Sequence, residues 1–220
     1  MAGPLALGIL VSGRGSNMEA VLDAIGAGQL DAEVRVVLSD VESAPALRTA
    51  LSRGVPALHI PTGKYRTRLS DEAEKEWVRV LREHGVEVIA LAGFMRMIHE
   101  TILSAFAGRI VNIHPALLPA FPGLHGQRQA LDYGAKVAGC TVHFVNEGMD
   151  TGPIIGQRVV RVEADDTEQS LSARILEQEH ELYPECLQLL AEGRLRIDGR
   201  RVRILSAQDA LRKECNDPSG

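Results

Sequence analysis

The chain is poor in the residues that would staple or zinc-bind a fold. Its three cysteines, Cys140, Cys186 and Cys215, are odd in number and form no CxxC pair, which excludes a disulfide framework and a thiolate cluster and fits a reducing, cytoplasmic compartment. No apolar run reaches the roughly 20 residues that cross a bilayer. The apolar start MAGPLALGILVSG lacks the charged n-region of a signal peptide and runs straight into a glycine loop, so it reads as a first strand. Basic excess is missing too: a formal net charge of -5 and a pI near 5.8 argue against a broad face for nucleic acid. Small molecules are therefore the expected partners, with neither nucleic acid nor membrane, and the chain is expected as a monomer or homodimer. The seven histidines show no H-x-x-x-H pattern, so no metal is expected. No serine sits in a G-x-S-x-G elbow, and no cysteine has a histidine at a diagnostic position. Without a repeat or a linker, one domain is expected over residues 1–205, followed by a loosely ordered tail over 206–220.

What is present is an alternation. Short β-branched runs at 5–12, 34–39, 56–60, 86–92 and 110–114 are separated by amphipathic segments. One of these, SDEAEKEWVRVLREHG, carries Trp77, Val80, Leu81 and His84 at helical spacing and a capping-box-like start at Asp71 and Glu74. Such alternation implies a Rossmann-like α/β fold with a mostly parallel sheet covered on both faces. Beyond residue 115 the rhythm changes. Runs at 136–145 and 153–162, joined by NEGMDTG, read as an antiparallel pair. A long helix is expected from Asp166 to Ala191, with Leu171, Ile175, Leu182, Cys186 and Leu189 on one face and a kink at Pro184. LRIDGRRVRI reads as a hairpin turning at Asp198-Gly199.

The glycine loop VSGRGSN places Gly13, Gly15, Ser16 and Asn17 where the first strand meets the first helix. A helix N-terminus offers free N–H groups and partial positive charge, and glycines let an anion approach closely. The third position of a dinucleotide fingerprint is Met18 here, and a Walker Gly-Lys-Ser/Thr ending is absent, so a single phosphate monoester fits better. The alternative is a tight turn in which Ser16 or Asn17 merely caps the helix. Spacing leaves both open.

In RIVNIHPALLPAFPGLHG, Asn112 and His114 stand two apart in an extended run and so project together from the end of the fifth strand. Pro115 holds His114 extended, and the prolines and glycines that follow form a stiff wall able to shape a pocket. Ligands of open α/β sheets bind beyond the carboxyl ends of the strands, the edge these residues share with the glycine loop. Asp150, in the turn MDTGP, is the candidate third group: a carboxylate beside the imidazole favours imidazolium, a donor able to stabilise an oxyanion. Against this stands the ordinary reading, in which the histidine is a satisfied structural group and the aspartate forms a turn. His125 and His143 compete for the role, His143 reading as a sheet-face residue.

These stretches together, GRGSN, LAGFMRMI, GRIVNIHPALLPAFPGLHG, TVHFVNEGMDTGPII and EQEHELYP, resemble the phosphoribosylglycinamide (glycinamide ribonucleotide) formyltransferase family of purine synthesis. NIHPALLP with a downstream D-x-GP is specific to folate-dependent formyl transfer, and GSN narrows it to this member. The resemblance implies 10-formyltetrahydrofolate as co-substrate, without metal. It implies that the ribonucleotide phosphate meets Gly15, Ser16 and Asn17 while Glu179 contacts the ribose. It implies that the folate lies against Met95, Arg96, Met97 and Ile98, against Asn112, and against the loop Asn146, Glu147, Gly148, Met149 and Asp150, with Arg68 at its tail. The catalytic residues implied are Asn112, His114 and Asp150. Related formyltetrahydrofolate hydrolases usually carry an N-terminal regulatory domain, and formyltransferases acting on methionyl-tRNA a C-terminal one. A first strand at residue 5 and an acidic chain ending after the hairpin favour neither.

Overall fold

The computed structural model describes residues 3–210. Five strands, β1 (Leu5–Val11), β2 (Ala32–Ser39), β3 (Ala57–His59), β4 (Val88–Leu91) and β5 (Ile110–His114), alternate with helices α1 (Ser16–Gly26), α2 (Pro45–Ser52), α3 (Asp71–Glu83) and α4 (Glu100–Ala105). Helix α5 (Gly126–Tyr133), strands β6 (Val137–Phe144) and β7 (Ile154–Arg161), the long α6 (Glu168–Ala191) and the hairpin β8 (Leu195–Asp198) and β9 (Arg201–Ile204) follow. Among the described residues they build one sheet in the order β3-β2-β1-β4-β5-β6-β7-β9-β8. Strands β1 to β5 pair in parallel, as alternation with helices requires. Both β5–β6 and β6–β7 are antiparallel.

The two-residue period of the strands divides the core. Leu7, Ile9 and Val11 of β1 face α1, α2 and α6, whereas Leu10 packs with Val36, Leu38, Trp77 and Leu81 on the α3 and α4 side. Gly8 gives the second layer room, because a Cβ there would lie 2.8 Å from Leu81 Cδ2 and 3.0 Å from Val86 Cγ1, and those side chains would have to shift.

Several expectations shift. Helix α3 is capped by Ser70, whose side chain accepts from the Ala73 N–H, so the Asp71–Glu74 start is not the cap. Glu74 turns inward, 2% exposed, and its carboxylate accepts from the His99 and Thr101 N–H groups at the start of α4, which has no side-chain cap of its own. Helix α6 begins at Glu168 with Thr167 and Ser170 as a reciprocal capping box, and it runs unbroken past Pro184. Its buried face uses Tyr183 and Leu187, while Leu189 is half-exposed. In the C-terminal hairpin Asp198 pairs with Arg201, so the loop residues are Gly199 and Arg200, with Gly199 supplying the positive φ of 59°. Of the expected tail, residues 207–210 form a helical turn led by Ser206, whose Oγ accepts from the Asp209 N–H; residues 211–220 lie outside the described residues.

Candidate active site

The carboxyl ends of β1, β4 and β5 meet the β6–β7 loop at one edge of the sheet. There Asn112 and His114 project from β5 on the same face, as their spacing dictates. Asp150 reaches them from the loop with a φ of 52°, a left-handed conformation that Asp tolerates better than most side chains. Its Oδ2 accepts from the Gly123 N–H at 2.8 Å and lies 3.5 Å from His114 Nδ1. His114 is 5% exposed, and its Nε2 lies 3.0 Å from the Phe121 carbonyl oxygen. Both ring nitrogens therefore face acceptors. A neutral imidazole can donate to one of them only.

His143, a competitor for the role that the sequence reads as a sheet-face residue, belongs to this group. His143 on β6 pairs in register with Asn112 on β5, and its Nε2 lies 3.3 Å from the Asn112 amide nitrogen and 3.7 Å from Asp150 Oδ1. Burial pushes its pKa below the usual histidine range. Neutral, with Nδ1 donating to the Phe144 carbonyl at 2.8 Å, it leaves Nε2 as an acceptor for one Asn112 N–H. The second N–H of that amide remains for a ligand. His125, the other competitor, is an exposed residue beginning α5, 3.8 Å from Glu168 and apart from this cluster.

The glycine loop lies on the same edge. Gly15 takes a φ of 82°, and a Cβ there would stand 2.6 Å from Ala46 Cβ. Neither Ser16 nor Asn17 caps α1: its N-cap is Gly15, without a side-chain hydrogen bond. The first-turn N–H groups thus lack a side-chain acceptor, which favours the anion reading over the capping one. Asn17 instead donates from Nδ2 to Glu179 Oε2 at 2.7 Å, while its buried Oδ1 has no partner. Glu179 is 6% exposed. Burial pushes its pKa up to about 6, against the opposing hydrogen bond from Asn17. One turn on, the Tyr183 hydroxyl donates towards the carbonyls of Leu91 and Val111 at 2.9 and 3.1 Å, fixing α6 to the ends of β4 and β5.

The segment between β4 and α4 carries Met95, Arg96, Met97 and Ile98. Ser12 holds it on one side, its N–H donating to the Gly93 carbonyl and its Oγ accepting from the Met95 N–H at 2.8 Å. Thr67 holds it on the other, accepting from the Met97 N–H. Met95 is 58% exposed and Ile98 is buried. Arg96 donates from Nε to the buried Asp40 carboxylate at 2.7 Å, and Arg68 stacks over the Tyr65 ring at 3.9 Å, so neither guanidinium reaches the Asn112, His114, Asp150 group. In the β6–β7 loop, Asn146 Oδ1 accepts from Thr151 Oγ1 and the Gly148 N–H, a turn-building role, while Glu147 and Met149 are exposed.

A family model described as formyl transferase matches residues 6–187. The chain belongs to the formyl transferase family. The phosphoribosylglycinamide formyltransferase of Bacillus subtilis is 41% identical over 182 residues, 83% of this chain and 92% of its own length. A trifunctional purine biosynthetic protein of Drosophila melanogaster is 43% identical over 187 residues, 84% of this chain but 14% of that larger protein. The crystal structure of glycinamide ribonucleotide transformylase 1 from Symbiobacterium toebii superimposes with a TM-score of 0.90 at 48% identity, covering 94% of this chain and 96% of that one. The edge just described gathers the Asn112, His114 and Asp150 side chains, an uncapped helix N-terminus and a mostly apolar strip.

Proposed function

We propose that this formyl transferase moves a formyl group from 10-formyltetrahydrofolate to the amine of 5'-phosphoribosylglycinamide in purine synthesis. The observation that carries the reading is the convergence of Asn112, His114 and Asp150 on the sheet edge that also holds an uncapped helix N-terminus. Gly15, Ser16 and Asn17 receive the phosphate, and Glu179 receives the ribose hydroxyls. Asn17 Oδ1, buried without a partner, fits a ligand donor at that point. The strip Met95, Arg96, Met97 and Ile98, with the loop from Asn146 to Asp150, receives the folate, and Arg68 and Arg96 keep donors free for its anionic tail.

The co-substrate supplies a formyl carbon open to attack by the amine. The free N–H of Asn112 donates to the formyl oxygen as it gains negative charge, and the His114 Nε2–H exchanges its present acceptor, the Phe121 carbonyl, for that oxygen. Asp150 holds His114 charged and, through its carboxylate, relays the amine proton towards the departing nitrogen. No covalent enzyme intermediate is needed.

Incubating the protein with 10-formyltetrahydrofolate, with and without 5'-phosphoribosylglycinamide, tests this. Formyl loss only when the amine is present supports the transferase. Loss without the amine would make the protein a hydrolase, and no turnover in either arm would leave a sugar-phosphate sensor on the same sheet.

A further inference from the structure

Glu74 is a buried carboxylate outside the reacting centre, 2% exposed on the inner face of α3. Its Oε1 accepts from the His99 N–H at 2.6 Å and its Oε2 from the Thr101 N–H at 3.0 Å. These amides open α4, a helix of six residues whose N-cap, His99, provides no side-chain cap. A buried carboxylate needs such donors, and an uncapped helix start needs such an acceptor, so each explains the other. The segment that enters α4 is the strip 95–98. Phe94, at its other end, packs on Trp77 of the same α3 face, with ring centroids 5.2 Å apart.

We propose that Glu74 is a positioning residue for the folate co-substrate: by clamping the start of α4 it sets the path of residues 94–99 and so the surface on which the folate lies. This rests on the reading that this strip is the folate surface. Glu74 touches no reacting atom. Its loss releases two backbone N–H groups and lets the strip relax, which weakens the co-substrate alike in ground and transition state. The signature is a raised KM for one substrate at nearly unchanged kcat.

The test uses Glu74→Gln, which preserves volume but can accept at one oxygen only, beside Glu74→Asp, which keeps the carboxylate one methylene shorter. For Glu74→Gln we expect KM for 10-formyltetrahydrofolate to rise about tenfold, with KM for 5'-phosphoribosylglycinamide and kcat within about threefold of the parent. Glu74→Asp recovers part of that loss. A folded Glu74→Gln protein with unchanged KM for the folate overturns the proposal, even where its melting temperature falls. Hydrogen exchange on the unsubstituted protein supplies a readout independent of whether a variant folds. Slow exchange at His99 and Thr101 supports the clamp, and exchange as fast as in an open loop overturns it. Adding a non-transferable 10-formyl folate analogue separates the two readings. Absence of protection over 93–99 removes the folate surface itself, whereas protection there with an unaltered KM in Glu74→Gln removes only the role of Glu74.

Discussion

The Asn112 amide nitrogen stands 3.3 Å from His143 Nε2 across the β5–β6 ladder. Because His143 spends its Nδ1–H on the Phe144 carbonyl and burial keeps the ring neutral, Nε2 can only accept. That fixes which way the Asn112 carboxamide faces and aims its second N–H outward. His143→Phe keeps the bulk of the ring and removes the acceptor. We expect kcat to fall by about tenfold to a hundredfold, less than the loss of a direct oxyanion donor, with both KM values little changed. Steady-state kinetics check this; full turnover in the variant would show that Asn112 is oriented by something else.

His114→Ala and Asp150→Asn act at the reacting centre itself. The first removes a donor and the second removes the charge 3.5 Å from its ring. Each is expected to lower kcat on the order of a hundredfold to a thousandfold while affinity for either substrate stays near that of the parent. Single-turnover rates with isothermal titration of each ligand separate the two effects. Parent-like turnover in either variant removes that residue from the mechanism.

Glu179 makes a prediction in pH. Its folded pKa, pushed up to about 6, lies above the ordinary glutamate value of 4.5 that holds in the unfolded chain, so folding favours its protonated form. Stability from this group is fully present below pH 4.5 and is lost as pH rises through 6. The difference corresponds to about 2 kcal/mol at neutral pH. Glu179→Gln removes the titration. Across pH 4.5 to 7 the stability of the variant relative to the parent should therefore climb by about that amount in urea unfolding, while KM for the ribonucleotide rises. A parallel pair of curves would mean that Glu179 titrates as an exposed carboxylate does.

Much of this is legible in the sequence. The strand and helix alternation gave the parallel half of the sheet because crossover geometry leaves few other packings, and i, i+2 spacing with Pro115 put Asn112 and His114 on one face. Other parts depended on register, which sequence does not carry. His143 shows its alternation plainly, but its partner is set by the antiparallel pairing of β6 with β5, a contact between segments 31 positions apart. Glu74 likewise reads as a first-turn acid favourable to the helix dipole until α4 is folded against α3. Glu179 is different: Ile175, Glu179, Leu182 and Cys186 follow one helical stripe, so a carboxylate inside an apolar row was a visible signal of a buried, purposeful charge.

The two glycines of the first loop differ in what they permit, and that contrast separates fold from ligand. Gly15 is left-handed with no room, since a Cβ would meet Ala46 at 2.6 Å; Gly13 has nothing within 4 Å of its hypothetical Cβ. Gly15→Ala must strain the turn and push α2 away, costing about 1–3 kcal/mol of stability, and it displaces the α1 N-terminus together with any anion held there. Gly13→Ala should leave the melting temperature unchanged within about 1 °C, because neither backbone nor neighbour opposes it. If Gly13→Ala nevertheless raises KM for the ribonucleotide, the added methyl is occupying space that the phosphate uses. Unchanged KM in both variants would show that the phosphate binds elsewhere and that the loop serves only as a turn.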